Sequence, residues 1–190
     1  MTLAAPEPRF TPDDVLRLKE EGLYELVSGR LVEKKISPLV SEVMSRVAAT
    51  LVNFGKSAKT GDAVYIALSF QCFAHYPDLV RRPEIAVIVA DRLATVSEDG
   101  HVPIAPDLAV EVVSPDETMY EFEQRLGDYQ EAKIPLVWEV NPKFRFVRIH
   151  RLNRDAERLN ESAILTADPV LPGFSVLVSE LFPPAGNAKP

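Results

Sequence analysis

Apolar positions recur along this chain with two different periods, and the alternation between them lays out an α/β order of elements. Thr11, Pro12 and Asp14 make a helix start with a capping hydroxyl, a proline at the first helical position and an acidic first turn; that helix ends near Gly22. Two extended runs follow, Leu23 to Val27 and Arg30 to Lys34. Ser28-Gly29 joins them as a two-residue hairpin signal, with glycine supplying a positive φ. Glu25 lies inside the first run. Ser37-Pro38 opens the next helix, in which Val40, Val43, Met44, Val47, Leu51 and Phe54 recur at helical spacing until Gly55. That stripe reads as core packing.

Beyond it the period shortens. Asp62 to Phe73, rich in β-branched and aromatic residues, reads as one long strand, and Arg82-Pro83-Glu84 introduces another over Ile85 to Val89. Asp107 to Val113 is apolar on both faces apart from Glu111, the pattern of a strand covered on both sides. Ser114-Pro115-Asp116 would cap a helix from about Glu117 to Ala132 with Met119, Phe122, Leu126 and Tyr129 on its buried side. Strands over Leu136 to Val140 and Phe144 to Arg151 flank Asn141-Pro142. A weaker strand pair precedes Leu171-Pro172-Gly173-Phe174, and a short helical turn covers Val178 to Phe182. No internal repeat or linker divides the chain, so the organisation expected is a leader over 1–9, one domain over 10–182 and a tail over 183–190.

Composition narrows the class. Hydrophobic residues at 46% and charged residues at 26% are the balance of a globular protein. No apolar run approaches the length of a membrane span, and the N-terminus lacks the apolar segment of a secretory signal, so a soluble, cytoplasmic protein is expected. Cys72, the lone cysteine, has no partner for a disulfide or a zinc site and reads as a small buried hydrophobe. A net charge of −7 argues against indiscriminate binding of nucleic acid. A local basic groove is still available from Lys34 and Lys35, Lys56 and Lys59, Arg81 and Arg82, or the series Arg145, Arg148, Arg151 and Arg154.

The chemistry is carried by a charge where the pattern asks for an apolar residue. A carboxylate buried without a partner is costly, and Glu111 shares its strand face with Ala109 and Val113. A divalent cation would satisfy it. Glu84, at the mouth of the preceding apolar strand, is the natural second acid if the two strands pair. Asp107 is rejected as a ligand, because four residues along a strand span roughly 13 Å. Carboxylates without histidine or cysteine partners form a hard-oxygen site, suited to Mg²⁺ or Mn²⁺. His75, His101 and His150 show no ligand spacing and read as surface residues. Glu139, also a charge in an apolar strand, either faces solvent at an edge or pairs with a nearby arginine. Signatures of acyl transfer, nucleotide hydrolysis and hydride transfer are absent from the sequence.

Four blocks, Tyr24 to Val32, Val80 to Ile88, Pro106 to Pro115 and Val137-Trp138 before Asn141-Pro142, resemble in order those of the Uma2 endonuclease family. Leu171 to Phe174 ahead of Glu180 to Phe182 resembles its ending. The resemblance covers nearly the whole chain and implies membership of the PD-(D/E)XK nuclease superfamily. The implied fold is restriction-endonuclease-like: a mixed central sheet flanked by helices, here with an N-terminal helix and hairpin. The implied activity is metal-dependent cleavage of DNA. Under that resemblance the strand-mouth aspartate falls on Glu84, the strand glutamate on Glu111, the hairpin glutamate on Glu25 and the lysine on Arg125. Glu84 and Glu111 would bind the metal, and Arg125 flanks the buried stripe of its helix, so it can face the site.

Two of those positions depart from the family pattern. Glu84 adds a methylene to the expected aspartate, and Arg125 replaces a lysine with a fork that cannot act as a general base. Without the resemblance, Glu25 reads as a surface carboxylate, and Arg125 could pair with Glu121 or Asp128 along its own helix. The leading expectation is a Mg²⁺-dependent or Mn²⁺-dependent DNA endonuclease acting as a homodimer, since two related chains cut two strands most simply. The alternatives are a catalytically degenerate member of the same fold, serving as a binding or structural protein, and a hydrolase of some other phosphate ester.

Overall fold

A computed structural model describes residues 9–97, 99–114 and 117–184. Of the leader and tail expected from the sequence, residues 1–8 and 185–190 lie outside the described residues. So do Pro115 and Asp116 of the expected helix cap.

Helix α1 (Pro12–Arg17) starts with a capping box between Thr11 and Asp14 and runs into a 3₁₀ turn over Leu18–Glu20. The hairpin of β1 (Tyr24–Val27) and β2 (Arg30–Glu33) pairs as the sequence predicts, with Ser28 at φ 53° and Gly29 at φ 79° in its turn. It stands apart from the main sheet, tied on by two backbone bonds between Leu26 and Val80, at 2.9 and 3.0 Å. Helix α2 (Pro38–Ala58) is capped by Ser37 and passes through Gly55 to a left-handed cap at Lys59, one turn beyond the predicted end.

The central sheet has six strands in the order β3 (Ala63–Ile66), β4 (Ile85–Ile88), β5 (Leu108–Val112), β6 (Leu136–Asn141), β7 (Phe146–Arg151) and β8 (Glu157–Leu159). All neighbours are antiparallel except β5 and β6, which run parallel because helix α3 (Met119–Glu131) crosses between them. One sheet face packs Ile85, Val87, Leu108, Val110, Leu136 and Trp138 against α2 and against a separate pair, β9 (Ile164–Ala167) with β10 (Leu171–Leu177). The opposite face sets Ala109 and Val137 against Phe122, Leu126 and Tyr129 of α3. Every residue of β5 is buried, as expected of an interior strand. Among the described residues no helix is long and apolar enough to cross a membrane.

Several expectations are corrected. The long strand over Asp62 to Phe73 stops at Ile66, because Ala67 turns to φ 50° and sends its N–H to the Glu84 carbonyl; Phe70 then makes only isolated bridges to Arg81 and Val102. Helix α3 starts later than predicted. Thr118, in a capping box with Glu121, is its N-cap, and Met119 is 65% exposed instead of buried. Strand β10 was hidden by Pro172-Gly173, which the chain accommodates as an irregularity in pairing between Leu171 and Ser175. His101 is half-buried between the Ser69 hydroxyl and the Pro12 carbonyl, and His150 lies against Glu139, so neither is a free surface residue; His75 is exposed. Glu139 is buried in the interior strand β6 and pairs with Arg148 at 2.6 Å, the second of the two readings left open for it.

The interior position of β5 has a measurable consequence. Truncating Leu108, which has no exposed surface, should cost about 2–5 kcal/mol in urea unfolding, whereas Ile66→Ala at the exposed end of β3 should stay within about 0.5 kcal/mol.

Candidate active site

Pairing of β4 with β5 sets Ile85 opposite Val110. Glu84 and Glu111 come just beyond that last pair, and Glu111 shares the face of Ala109, the one that packs α3. Glu84 extends along the strand end and accepts the Val112 N–H at 2.9 Å. Both carboxylates converge on one cationic atom: Lys34 Nζ lies 2.6 Å from Glu84 Oε1 and 3.2 Å from Glu111 Oε2. Lys34 follows the last residue of β2 and completes its donors on the Arg82 carbonyl at 2.8 Å.

Glu25 approaches from the hairpin and is entirely buried. Its Oε2 receives Arg81 Nη1 at 2.7 Å, its Oε1 receives the Arg82 N–H at 2.8 Å, and Lys34 Nζ stands 3.9 Å away. Burial alone would raise its pKa, but Lys34, Arg125, Arg81 and the Arg82 N–H together hold it at about 2. Glu84 shifts the other way. Burial and the neighbouring Glu111 charge push it upward, against the opposing pull of Lys34. Glu111 is kept low by Arg125 and Lys34 in spite of its burial, and the Tyr129 hydroxyl donates to its Oε1.

Arg125 reaches the same group from α3. Its Nη1 donates to Glu111 Oε2 at 2.9 Å and its Nη2 to Glu117, while its buried Nε makes no hydrogen bond and lies 3.7 Å from Glu25 Oε2. Arg81 bridges from Glu25 to Asp128, with Nε 2.7 Å from the Asp128 carboxylate. A cleft opens onto these groups, lined by Lys34, Lys35, Arg81, Glu117, Gln124 and Arg125 among others. Asp107 lies outside it. That carboxylate accepts the Val89 N–H at 2.9 Å and pairs with Arg92 at 2.7 Å, which is a fastening of the turn after β4.

The structure therefore gathers Glu25, Glu84, Glu111 and Arg125, the four positions singled out in the sequence. It adds Lys34, Arg81, Glu117, Asp128 and Tyr129, which sequence reasoning left as a charge pair, a helix start or core packing. Lys34 could have been found. The Ser28-Gly29 turn fixes Glu25 opposite Val32, and Lys34, two residues beyond Val32, alternates back to the same hairpin face. Tyr129 carried a weaker signal, its place one turn after Arg125 on the buried face of α3.

A mixed sheet with a parallel βαβ crossover, two carboxylates across adjacent strand ends and a basic residue from the crossover helix define the restriction-endonuclease-like fold. Within that class, the chain belongs to the Uma2 family, described as "Putative restriction endonuclease", which residues 12–179 match. A crystal structure described as a putative nuclease belonging to DUF820, from Anabaena variabilis ATCC 29413, superposes with a TM-score of 0.76 at 20% identity, over 91% of this chain and 97% of that one. A search of curated proteins returns no match. The family supports a nuclease function and a nucleic-acid partner.

The depressed Glu25 value predicts how acid acts on the fold. A carboxylate held at about 2, against 4.5 when unperturbed, contributes stability that is complete above about pH 4.5 and is lost as pH falls toward 2. Urea unfolding across that window should show a smaller loss in Glu25→Gln than in the parent chain. Equal acid sensitivity of the two would place the dependence on other groups.

Proposed function

We propose that this protein is a metal-dependent endonuclease that hydrolyses phosphodiester bonds in DNA. The observation that supports it is the convergence of Glu84 Oε1 and Glu111 Oε2 on one cation, the Lys34 ammonium, at the floor of a cleft lined by both acidic and basic side chains. Glu84 and Glu111 offer only oxygen donors, the kind Mg²⁺ or Mn²⁺ takes, and among the described residues no third His, Cys, Asp or Glu joins them as a metal-holding group, so the remaining ligands would have to be water and substrate oxygens. Glu84 and Glu111 would hold the ion, which supplies Lewis acidity and a more acidic bound water.

The chain's own groups account for the rest. Tyr129 fixes the Glu111 carboxylate from behind by donating to Oε1, leaving Oε2 turned toward Lys34 and Arg125. Glu25 touches neither metal-binding acid; it orients Arg81 and lies beside Arg125, so its role is positioning. Arg125 stays charged at any working pH but its fork is engaged by Glu111 and Glu117, so it would stabilise charge developing on phosphate only on releasing Glu117, and it cannot take a proton from water. Lys35, exposed at the rim, adds a phosphate contact. One such site per chain suits a homodimer, in which a two-fold axis presents two sites to the two strands of a duplex.

A second reading, that of a degenerate nuclease fold that binds without cutting, draws support from Lys34, whose ammonium already pairs with both acids. A plasmid-nicking assay separates the two. With Mg²⁺ or Mn²⁺ the parent chain should cut DNA, chelator should abolish cutting, and Glu111→Ala should reduce it roughly 100-fold or more. Arg125→Lys should retain activity, and Arg125→Ala should lose it. No cutting of duplex or single-stranded DNA by purified protein with either metal would favour the non-cutting reading, and cutting that survives Glu111→Ala would locate the chemistry elsewhere.

A further inference from the structure

The cation between Glu84 and Glu111 is part of the chain. Lys34 Nζ spends its three donors on Glu84 Oε1 at 2.6 Å, the Arg82 carbonyl at 2.8 Å and Glu111 Oε2 at 3.2 Å. A compact ammonium with three satisfied bonds fills that position, and a divalent ion, which must approach carboxylate oxygens to about 2.0–2.6 Å, cannot share it. We propose that Lys34 is a tethered counter-ion that occupies the metal position in the metal-free protein, leaves it when a divalent cation loads, and presents its ammonium to a substrate phosphate at the cleft mouth. The proposal rests on the metal-dependent reading above and deepens it.

Three observations carry it. First, Glu25, Glu84 and Glu111 are all buried, and without a cation between them the two facing carboxylates would repel at close range in a poorly screened site. Second, Lys34 is placed to leave. It lies between the end of β2 at Glu33 and the Ser37 cap of α2, outside regular structure, with its side chain 11% exposed on the cleft wall. Rotation about a four-carbon stem moves the ammonium outward without disturbing the hairpin ladder. Third, the exposed Lys35 stands beside the mouth and supplies a cation there, among the acids Glu33, Glu117 and Glu121 of the same lining. A phosphate there would receive the displaced charge. Metal and nucleic acid therefore bind cooperatively, each removing part of the cost of the other.

Calorimetric titration with Mn²⁺, in the absence of DNA, reads the competition directly. A competitor that fills the position about nine-tenths of the time weakens apparent affinity about tenfold, so Lys34→Met should bind Mn²⁺ about tenfold more tightly than the parent, and Lys34→Arg should bind no more tightly. Equal or weaker binding by Lys34→Met, or no binding by either protein, overturns the proposal. Should Lys34→Met fail to fold with its acids unpaired, the parent chain decides by lysine acylation and mass spectrometry. Lys34 should be protected without metal and become reactive at saturating Mn²⁺, with the exposed Lys56 on α2 unchanged as the internal standard; unchanged Lys34 reactivity overturns it. Neither readout uses cleavage. A protein whose Lys34 is released by Mn²⁺ but which cuts no DNA loses only the nuclease reading, and one that cuts DNA with Lys34 still protected loses only this one.

Discussion

A carboxylate taken out of water destabilises a fold by several kcal/mol unless a cation goes with it, and this chain buries Glu25, Glu84 and Glu111 within one cluster. Nearly everything distinctive in the structure answers that constraint. Lys34 comes from the hairpin, Arg81 and Arg82 from the segment before β4, and Arg125 and Tyr129 from α3. Each makes a short bond into the cluster. None of these elements is next to another in the order of the main sheet, so the charge cluster is what joins the outlying hairpin to the strand ends and the crossover helix.

The same constraint explains why the acids differ so much in behaviour. Glu25, ringed by Lys34, Arg81, Arg125 and a backbone N–H, remains ionised into strong acid. Glu84 has the Lys34 ammonium and one backbone N–H, and faces Glu111, so its proton is held more firmly. Two glutamates of similar burial thus differ because one lies among cations and the other opposite a like charge.

Much of this was legible in the chain, for identifiable reasons. Glu111 stood out because β5 is otherwise apolar, and Glu84 because it would lie nearby if the two strands paired. Both arguments need only strand periodicity. Arg125 came with the family resemblance, and helical spacing beside Leu126 and Tyr129 only allowed it to face the site. What was illegible depended on the path of irregular segments. Ala67 at φ 50° is a tertiary choice with no glycine or asparagine to announce it, so the strand over Ala63–Ile66 looked longer than it is. Arg81 and Asp128 meet across a separation of 47 residues, which no local pattern encodes. Met119 looked like part of an apolar stripe, yet the helix begins there and Met119 and Tyr120 in its first turn are exposed.

The hairpin is held to the rest of the protein by the Leu26–Val80 backbone pair, by Leu26 packing with Val15 and Val80, by the Tyr24 carbonyl that accepts from Arg82, and by Glu25 and Lys34. Those two side chains close loops of 56 residues to Arg81 and 77 residues to Glu111. Loop closure costs entropy that grows only slowly with length, and here the bonds that offset it are the ones offered to the chemistry. Site assembly and chain closure are thereby linked, although apolar packing of Leu26 on Val15 and Val80 also holds the hairpin. Substitutions that sharpen the chemistry by stripping charge from this cluster will also loosen the N-terminal third, so evolution or engineering of this site must change acids and bases in pairs.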